Sequence, residues 1–217
     1  MSLNHYIFSF INFLILFIPT FTIKARCFLI PDNDSGVSGL VEFDQESITT
    51  PVHIKVKIYG AAAIHGFHIH EFGNIKGGCM STGGHYNPTN MTHGAPFDNE
   101  RHNGDLGNLE AKKKAIIYEY EDKVISLFGD TSIYGKACVI HALQDDLGRG
   151  EGQSKINGNA GARTACGIVQ THEPLKSIVF GSVIVIIGVS LLIYYFFFRK
   201  GDDPSLVNEE ENQEKAY

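Results

Sequence analysis

A chain of 217 residues, 43% hydrophobic and 19% charged, holds one ordinary domain with appendages and is too apolar for a disordered polymer. A formal net charge of −6 with no basic stripe argues against nucleic acid as a partner. The 23 glycines set between short apolar runs, and the absence of tryptophan, favour turns between strands over long helices.

In chain order, residues 7–23 form an apolar run rich in Ile, Leu and Phe, preceded by Met1–Tyr6 with no Lys or Arg. This reads as a secretory signal peptide over 1–25, cut near Thr22 or Ala25, the alternative being an uncleaved signal anchor. A domain over 26–172 follows. Val37, Gly39, Val41 and Phe43 recur with a period of two. In His53–Tyr59, Ile54, Val56 and Ile58 face one way, Lys55 and Lys57 the other. Residues 115–120, 124–128 and 133–141 are further β-rich runs, separated by turns such as Glu121-Asp122 and Gly129-Asp130. The pattern predicts an all-β antiparallel barrel or sandwich. Two long segments, 71–110 and 144–165, break the rhythm, and loops of that length are usually functional.

Residues 178–198 carry no charge, and an α-helix of that length spans roughly 30 Å, the hydrocarbon thickness of a bilayer. Arg199 and Lys200 follow, with Tyr194 and Tyr195 placed for the interface. This predicts a transmembrane α-helix over 178–198 in contact with the lipid bilayer. It follows a linker (173–177) and precedes an acidic cytoplasmic tail (199–217). A buried core helix fits less well, because no other helical pattern exists to pack it. A lipid-anchor signal would end with its apolar tail, whereas a polar segment continues to Tyr217.

The chain has 10 histidines. His68 and His70, two apart in an extended run, project from the same face of a strand. His85, His93, His102 and Asp105 follow in the first long segment, and His141 ends a later strand. Imidazole suits copper and zinc, and a carboxylate can complete a tetrahedral zinc site. The run Gly66-Phe67-His68-Ile69-His70-Glu71-Phe72-Gly73 resembles the copper-ligand signature of the copper/zinc superoxide dismutases, and residues 158–167 (GNAGARTACG) resemble that family's second signature. His85–Pro88, Arg101–Asn108 and Asp145–Gly148 also match, so the resemblance covers roughly residues 24–170.

The resemblance implies an eight-stranded Greek-key barrel, usually a homodimer, with Phe72, Tyr134 and Gly135 near the contact. It implies that His68, His70, His85 and His141 bind copper. It implies that His85, His93, His102 and Asp105 bind zinc, with His85 shared between the two ions. Asp145 is then the carboxylate that orients a copper-side and a zinc-side imidazole. Arg163 lies beside the copper as a fixed cationic guide for the superoxide anion, Cys79 and Cys166 form a disulfide, and His65 is structural. The implied activity is dismutation of superoxide to O2 and H2O2, with copper cycling between Cu(II) and Cu(I) and zinc bracing the loop. One departure is that segment 147–163 is about one residue shorter than the family pattern. Another is that Leu143 stands where many relatives carry lysine.

Four cysteines suit an exported protein. Cys27 and Cys138, in predicted strands, read as buried free thiols rather than a second bridge. Asn33-Asp34-Ser35 and Asn90-Met91-Thr92 are glycosylation sequons if the domain is extracellular or lumenal. A metal-holding module without turnover is the main rival. The presence of Arg163 and all seven ligand positions weighs against it. A zinc peptidase is excluded, because no second histidine follows His70-Glu71 at helical spacing.

Overall fold

The computed structural model describes residues 22–172 and 188–190. Eight strands succeed one another: β1 (Ile23–Pro31), β2 (Ser38–Gln45), β3 (Val52–Tyr59), β4 (Ile64–His70), β5 (Asp105–Glu110), β6 (Ala115–Asp122), β7 (Ala137–His141) and β8 (Arg163–Thr171). All pair antiparallel in one curved sheet of order β5-β4-β7-β8-β1-β2-β3-β6. The non-sequential neighbours β3–β6 and β4–β7 are crossings of Greek-key type. β5 and β6 are the last strands at the two ends of the order, so the barrel is nearly closed.

Alternation in the sequence becomes burial in the barrel. Val52, Ile54, Val56 and Ile58 of β3 are buried and the residues between them are not. They meet Val41, Phe43, Phe67, Ile69, Leu109, Ile116 and Ile140 in one core. β4 is buried on both faces, with Phe67 and Ile69 entering the core while His68 and His70 point the other way, under the 71–104 loop.

One expected run is not a strand, and another is a strand only in part. In residues 124–128 the backbone N–H groups of Val124 and Ile125 donate to Asp122, and that of Leu127 to Gln45. Ile125 and Leu127 are nevertheless buried, so the segment alternates like a strand while its hydrogen bonds go to side chains. The run 133–141 contributes only Ala137–His141 to the sheet, because Gly135 turns at φ 73°. β1 begins at Ile23, paired with Gln45, so its first three residues overlap the leader expected over 1–25.

The ladder is irregular at Gly66/His68 in β4 and at Ile140/His141 in β7. Bulges of this kind re-aim side chains, and both lie next to candidate ligands. Two loops, 71–104 and 142–162, fold over this wall. The first carries a 3-10 turn, Cys79–Thr82, and the second a four-residue helix, α1 (Ser154–Asn157).

The chain divides into units at His172. In the second unit only residues 188–190 are described, and they are helical. Among the described residues no helix is long and apolar enough to cross a membrane. Apart from residues 188–190, the expected span 178–198 lies outside the described residues. So do the tail and the leader, apart from residues 22–25.

Candidate metal centre

Each histidine on the β4–β7 wall has one ring nitrogen tied to the protein and the other turned inward. His70 Nδ1 lies 2.9 Å from the Gly83 carbonyl oxygen, and His141 Nδ1 lies 3.1 Å from that of Gly161. A carbonyl only accepts, so both Nδ1 atoms carry the proton and both Nε2 atoms present lone pairs. Those two Nε2 atoms face one another at 3.2 Å. Burial, and then the neighbouring His85 and His141, hold His70 well below the ordinary histidine range; burial first of all pulls His141 down to about 4. Two neutral imidazoles with lone pairs at that distance repel, and a cation bound between them relieves it.

The same logic fixes His68. Its Nε2 donates to Asp145 Oδ2 at 2.8 Å, leaving Nδ1 buried without a hydrogen-bond partner. His85 Nε2 is likewise buried without one. One nitrogen from each of His68, His70, His85 and His141 lies within 4.8 Å of the others, and all four residues are buried.

On the far side of the His85 ring, Nδ1 lies 2.8 Å from Asp105 Oδ1. His93 Nδ1 and His102 Nδ1 approach the same oxygen at 3.0 and 3.2 Å. The other oxygen, Asp105 Oδ2, accepts from the backbone N–H groups of Gly94 and His102. Burial alone would raise the Asp105 pKa, but the contacts from His102, His85 and His93 outweigh it and keep the group ionised. Burial also opposes charge on His93, yet the Asp105 and Asp145 carboxylates lift it to about 9. Three imidazole nitrogens thus converge on one carboxylate oxygen, a donor set that suits a divalent cation. His85, His93, His102 and Asp105 form the second four-residue group, and His85 belongs to both.

Asp145, fully buried, joins the two halves: Oδ2 meets His68 Nε2 and Oδ1 meets His93 Nε2, each at 2.8 Å. Its backbone is clamped by Asn108, whose side chain donates to the Asp145 carbonyl and accepts from its N–H. Gly158 ends α1 at φ 64°, and a side chain there would strike the Asp145 carboxylate and the His93 ring.

Arg163 stands opposite His141 across the β7–β8 ladder. Its guanidinium donates to the carbonyls of Cys79 (2.7 Å), Met80 (3.3 Å) and Gly83, and to Thr82 Oγ1 (3.0 Å). The carbonyl of Gly83 thus receives both Arg163 and His70. Cys79 is disulfide-bonded to Cys166, which pins this stretch to β8. Burial lowers the Arg163 pKa somewhat from its ordinary value.

Every site residue expected from sequence falls within these connected groups. His65 donates from Nδ1 to the His141 carbonyl at 2.7 Å, bracing the backbone behind that side chain. Cys27 and Cys138 are free and buried. Of the remaining histidines, His53 lies 3.0 Å from Glu119 and His172 ends the first unit, while His5 lies outside the described residues. Sequence reasoning missed the buried pair Arg101–Asp122, whose arginine also holds the Asp105 carbonyl at 2.7 Å. It also missed the clamp by Asn108. Both residue 101 and residue 108 lie in the matched segment 101–108, but nothing there marks them as supports.

Two donor sets of imidazole and carboxylate sharing one ring suit a pair of borderline metals. The family model for copper/zinc superoxide dismutase (SODC) matches residues 37–169. The chain belongs to the copper/zinc superoxide dismutase family. It is 50% identical over 137 residues to Cu-Zn superoxide dismutase 5 of Dictyostelium discoideum, covering 62% of this chain and 90% of that one. It is 46% identical over 140 residues to the Cu-Zn superoxide dismutase of Saccharomyces cerevisiae (63% and 91%). It is 47% identical over 150 residues to Dictyostelium Cu-Zn superoxide dismutase 4 (68% and 97%). As a copper/zinc superoxide dismutase the protein is an oxidoreductase acting on superoxide, with copper and zinc as cofactors.

Proposed function

We propose that His68, His70, His85 and His141 hold the copper, that His85, His93, His102 and Asp105 hold the zinc, and that Arg163 guides superoxide to the first of these. The observation that carries this is the pair of buried four-residue donor groups with His85 in common. Copper bound there supplies the one-electron Cu(II)/Cu(I) couple that dismutation requires and that zinc lacks. The protein's own part is positional. Carbonyls 83 and 161 and the Asp145 carboxylate fix the tautomer of each ring before any ion arrives, so His70 and His141 present Nε2 and His68 presents Nδ1. His85 would serve both groups: its Nδ1 lies beside Asp105, and its Nε2, buried without a hydrogen-bond partner, would be the position that carries a proton. Arg163, pinned to loop carbonyls, offers a fixed positive charge that does not titrate near neutral pH. Residues 22–172, loaded with both metals, should inhibit superoxide-driven dye reduction and lose that inhibition to a copper chelator. Activity that survives copper removal would overturn the reading.

The domain is exported and anchored by residues 178–198, with the barrel on the extracellular or lumenal side and 199–217 in the cytoplasm. The charge-free run followed by Arg199-Lys200 supports this. Leader removal ahead of Ile23 rather than after Ala25 keeps the Ile23–Gln45 and Lys24–Asp44 pairs of β1. Carbonate-washed membranes should retain the full chain and release a chain ending at His172. Retention of both would refute the anchor. A homodimer is supported by the exposed Phe72, which adjoins Gly73 packed on Gly135 and Ile168. Sedimentation of residues 22–172 should give twice the chain mass, and Phe72→Glu should halve it.

A further inference from the structure

Cys79 is gripped at three points. Its side chain is bonded to Cys166, and its carbonyl accepts from Arg163 at 2.7 Å. Its backbone N–H donates to Asp32 Oδ1 at 3.0 Å. Asp32 is half-buried just past the end of β1, 47 positions away in sequence, and belongs to neither metal-binding group. Its reach follows from the turn that carries it. The Asp32 N–H and the Ser35 hydroxyl both donate to the Thr164 carbonyl, at 2.8 and 2.6 Å, which fastens residues 32–35 to the neighbour of Arg163. The Ser35 N–H donates back to the Asp32 carbonyl at 3.3 Å and closes the turn. From that foothold the carboxylate lies against the Gly78–Cys79 backbone, and a side chain at Gly78 (φ 77°) would meet Oδ1 at 2.8 Å.

One short segment thus holds both the strand that bears Arg163 and the turn that receives its guanidinium. The first N–H groups of a helical turn have no partner within it, and Asp32 supplies the acceptor for the one at Cys79. The disulfide acts on Cys79 through a side chain that can still rotate, whereas the Asp32 bond acts on the backbone itself. We infer that Asp32 is a positioning residue for the reaction: by capping the Cys79–Thr82 turn it sets the carbonyls of Cys79, Met80 and Gly83 and Thr82 Oγ1, the acceptors that aim Arg163. This rests on the guiding role given to Arg163 above. The Asp32 charge also reaches the guanidinium, where it opposes the effect of burial, so charge and hydrogen bonding have to be separated. Asn keeps the accepting oxygen without the charge, Ala removes both, and the two variants carry the same net charge.

The test compares Asp32→Asn with Asp32→Ala in the full chain loaded with copper and zinc, each alone and combined with Arg163→Ile. Superoxide dismutation is measured across a range of ionic strength, with metal content and melting temperature recorded for every variant. At low salt Asp32→Ala should be roughly two- to tenfold less active than Asp32→Asn, the equivalent of one lost hydrogen bond, at equal metal content. Its activity should also depend less on salt, and Asn should restore that dependence. In the Arg163→Ile background the difference between Asn and Ala should vanish, because the side chain that the turn aims is gone. Equal activity of Asp32→Asn and Asp32→Ala, where Arg163→Ile itself lowers activity, would overturn the positioning and leave the guide standing. A difference that persists without Arg163 would also overturn it, since Asp32 would then act on the fold or the metals. If Arg163→Ile changes nothing at low salt, the guide and the positioning fall together.

Discussion

Removing the Cys79–Cys166 bridge should cost the domain both stability and its guide for substrate. The two cysteines are 87 positions apart, so the bridge closes a loop of 88 residues. On the chain-entropy model such a loop restricts the unfolded chain by roughly 15 cal/mol/K, or about 4.6 kcal/mol at 25 °C. The folded barrel over residues 23–172 has about 150 residues and, at ~2.1 cal/mol/K each, an unfolding entropy of roughly 0.3 kcal/mol/K, so the melting temperature should fall by about 15 °C. Cys79→Ala with Cys166→Ala is the suitable perturbation, since a serine pair would add buried hydroxyls to sites that are 1% exposed. Activity should fall too at temperatures where the variant stays folded and metal-loaded. Three of the four groups that hold Arg163 (the carbonyls of Cys79 and Met80, and Thr82 Oγ1) lie in the 3-10 turn that the bridge pins, and the fourth is the adjacent Gly83 carbonyl. Scanning calorimetry and a superoxide assay on the metal-replete variant test both halves. A melting temperature lowered by less than about 3 °C would refute the loop argument. Unchanged activity would show that Arg163 does not depend on this turn.

Other outcomes follow from the same geometry. His141→Ala should lose copper-dependent activity while retaining zinc, measured by metal analysis of the purified variant. Asp145→Ala, which frees His68 and His93 at once, should weaken zinc binding by roughly 10–100-fold in chelator competition. Arg163→Ile should leave metal content unchanged while lowering activity and flattening its dependence on ionic strength, because salt screens the field through which a guiding charge attracts the anion. In the metal-free domain His141 is depressed from 6.5 to about 4, so its stability is present above pH 6.5 and lost as pH falls toward 4. His93 is raised from 6.5 to about 9, so its contribution is present below pH 6.5 and lost as pH rises toward 9. Each contributes a slope of at most about 1.4 kcal/mol per pH unit. The urea midpoint should therefore peak near neutrality and decline on both sides, and zinc should abolish the alkaline decline.

Much of the fold was legible because burial imposes a period of two, as Val52–Tyr59 shows. The rule fails where burial and hydrogen bonding part company: residues 124–128 alternate like a strand, but their N–H groups are taken by Asp122 and Gln45. Ladder register was not readable either, because the irregularities at Gly66/His68 and Ile140/His141 are decided by partners distant in sequence. The candidate ligands stood out because seven chemically matched side chains sit in recognisable local motifs. Their supports did not. Asn108, Arg101 with Asp122, and the carbonyls of Gly83 and Gly161 act through backbone atoms or through residues common in any protein, and only the folded chain brings them to the site.

The sharpest test is anomalous diffraction from metal-loaded crystals, with data collected at the copper and zinc absorption edges. Copper should lie against His68, His70 and His141, zinc against His93, His102 and Asp105, with the His85 ring between them and in contact with both. Two ions that do not share His85, or copper held by the Asp105 group, would contradict the account.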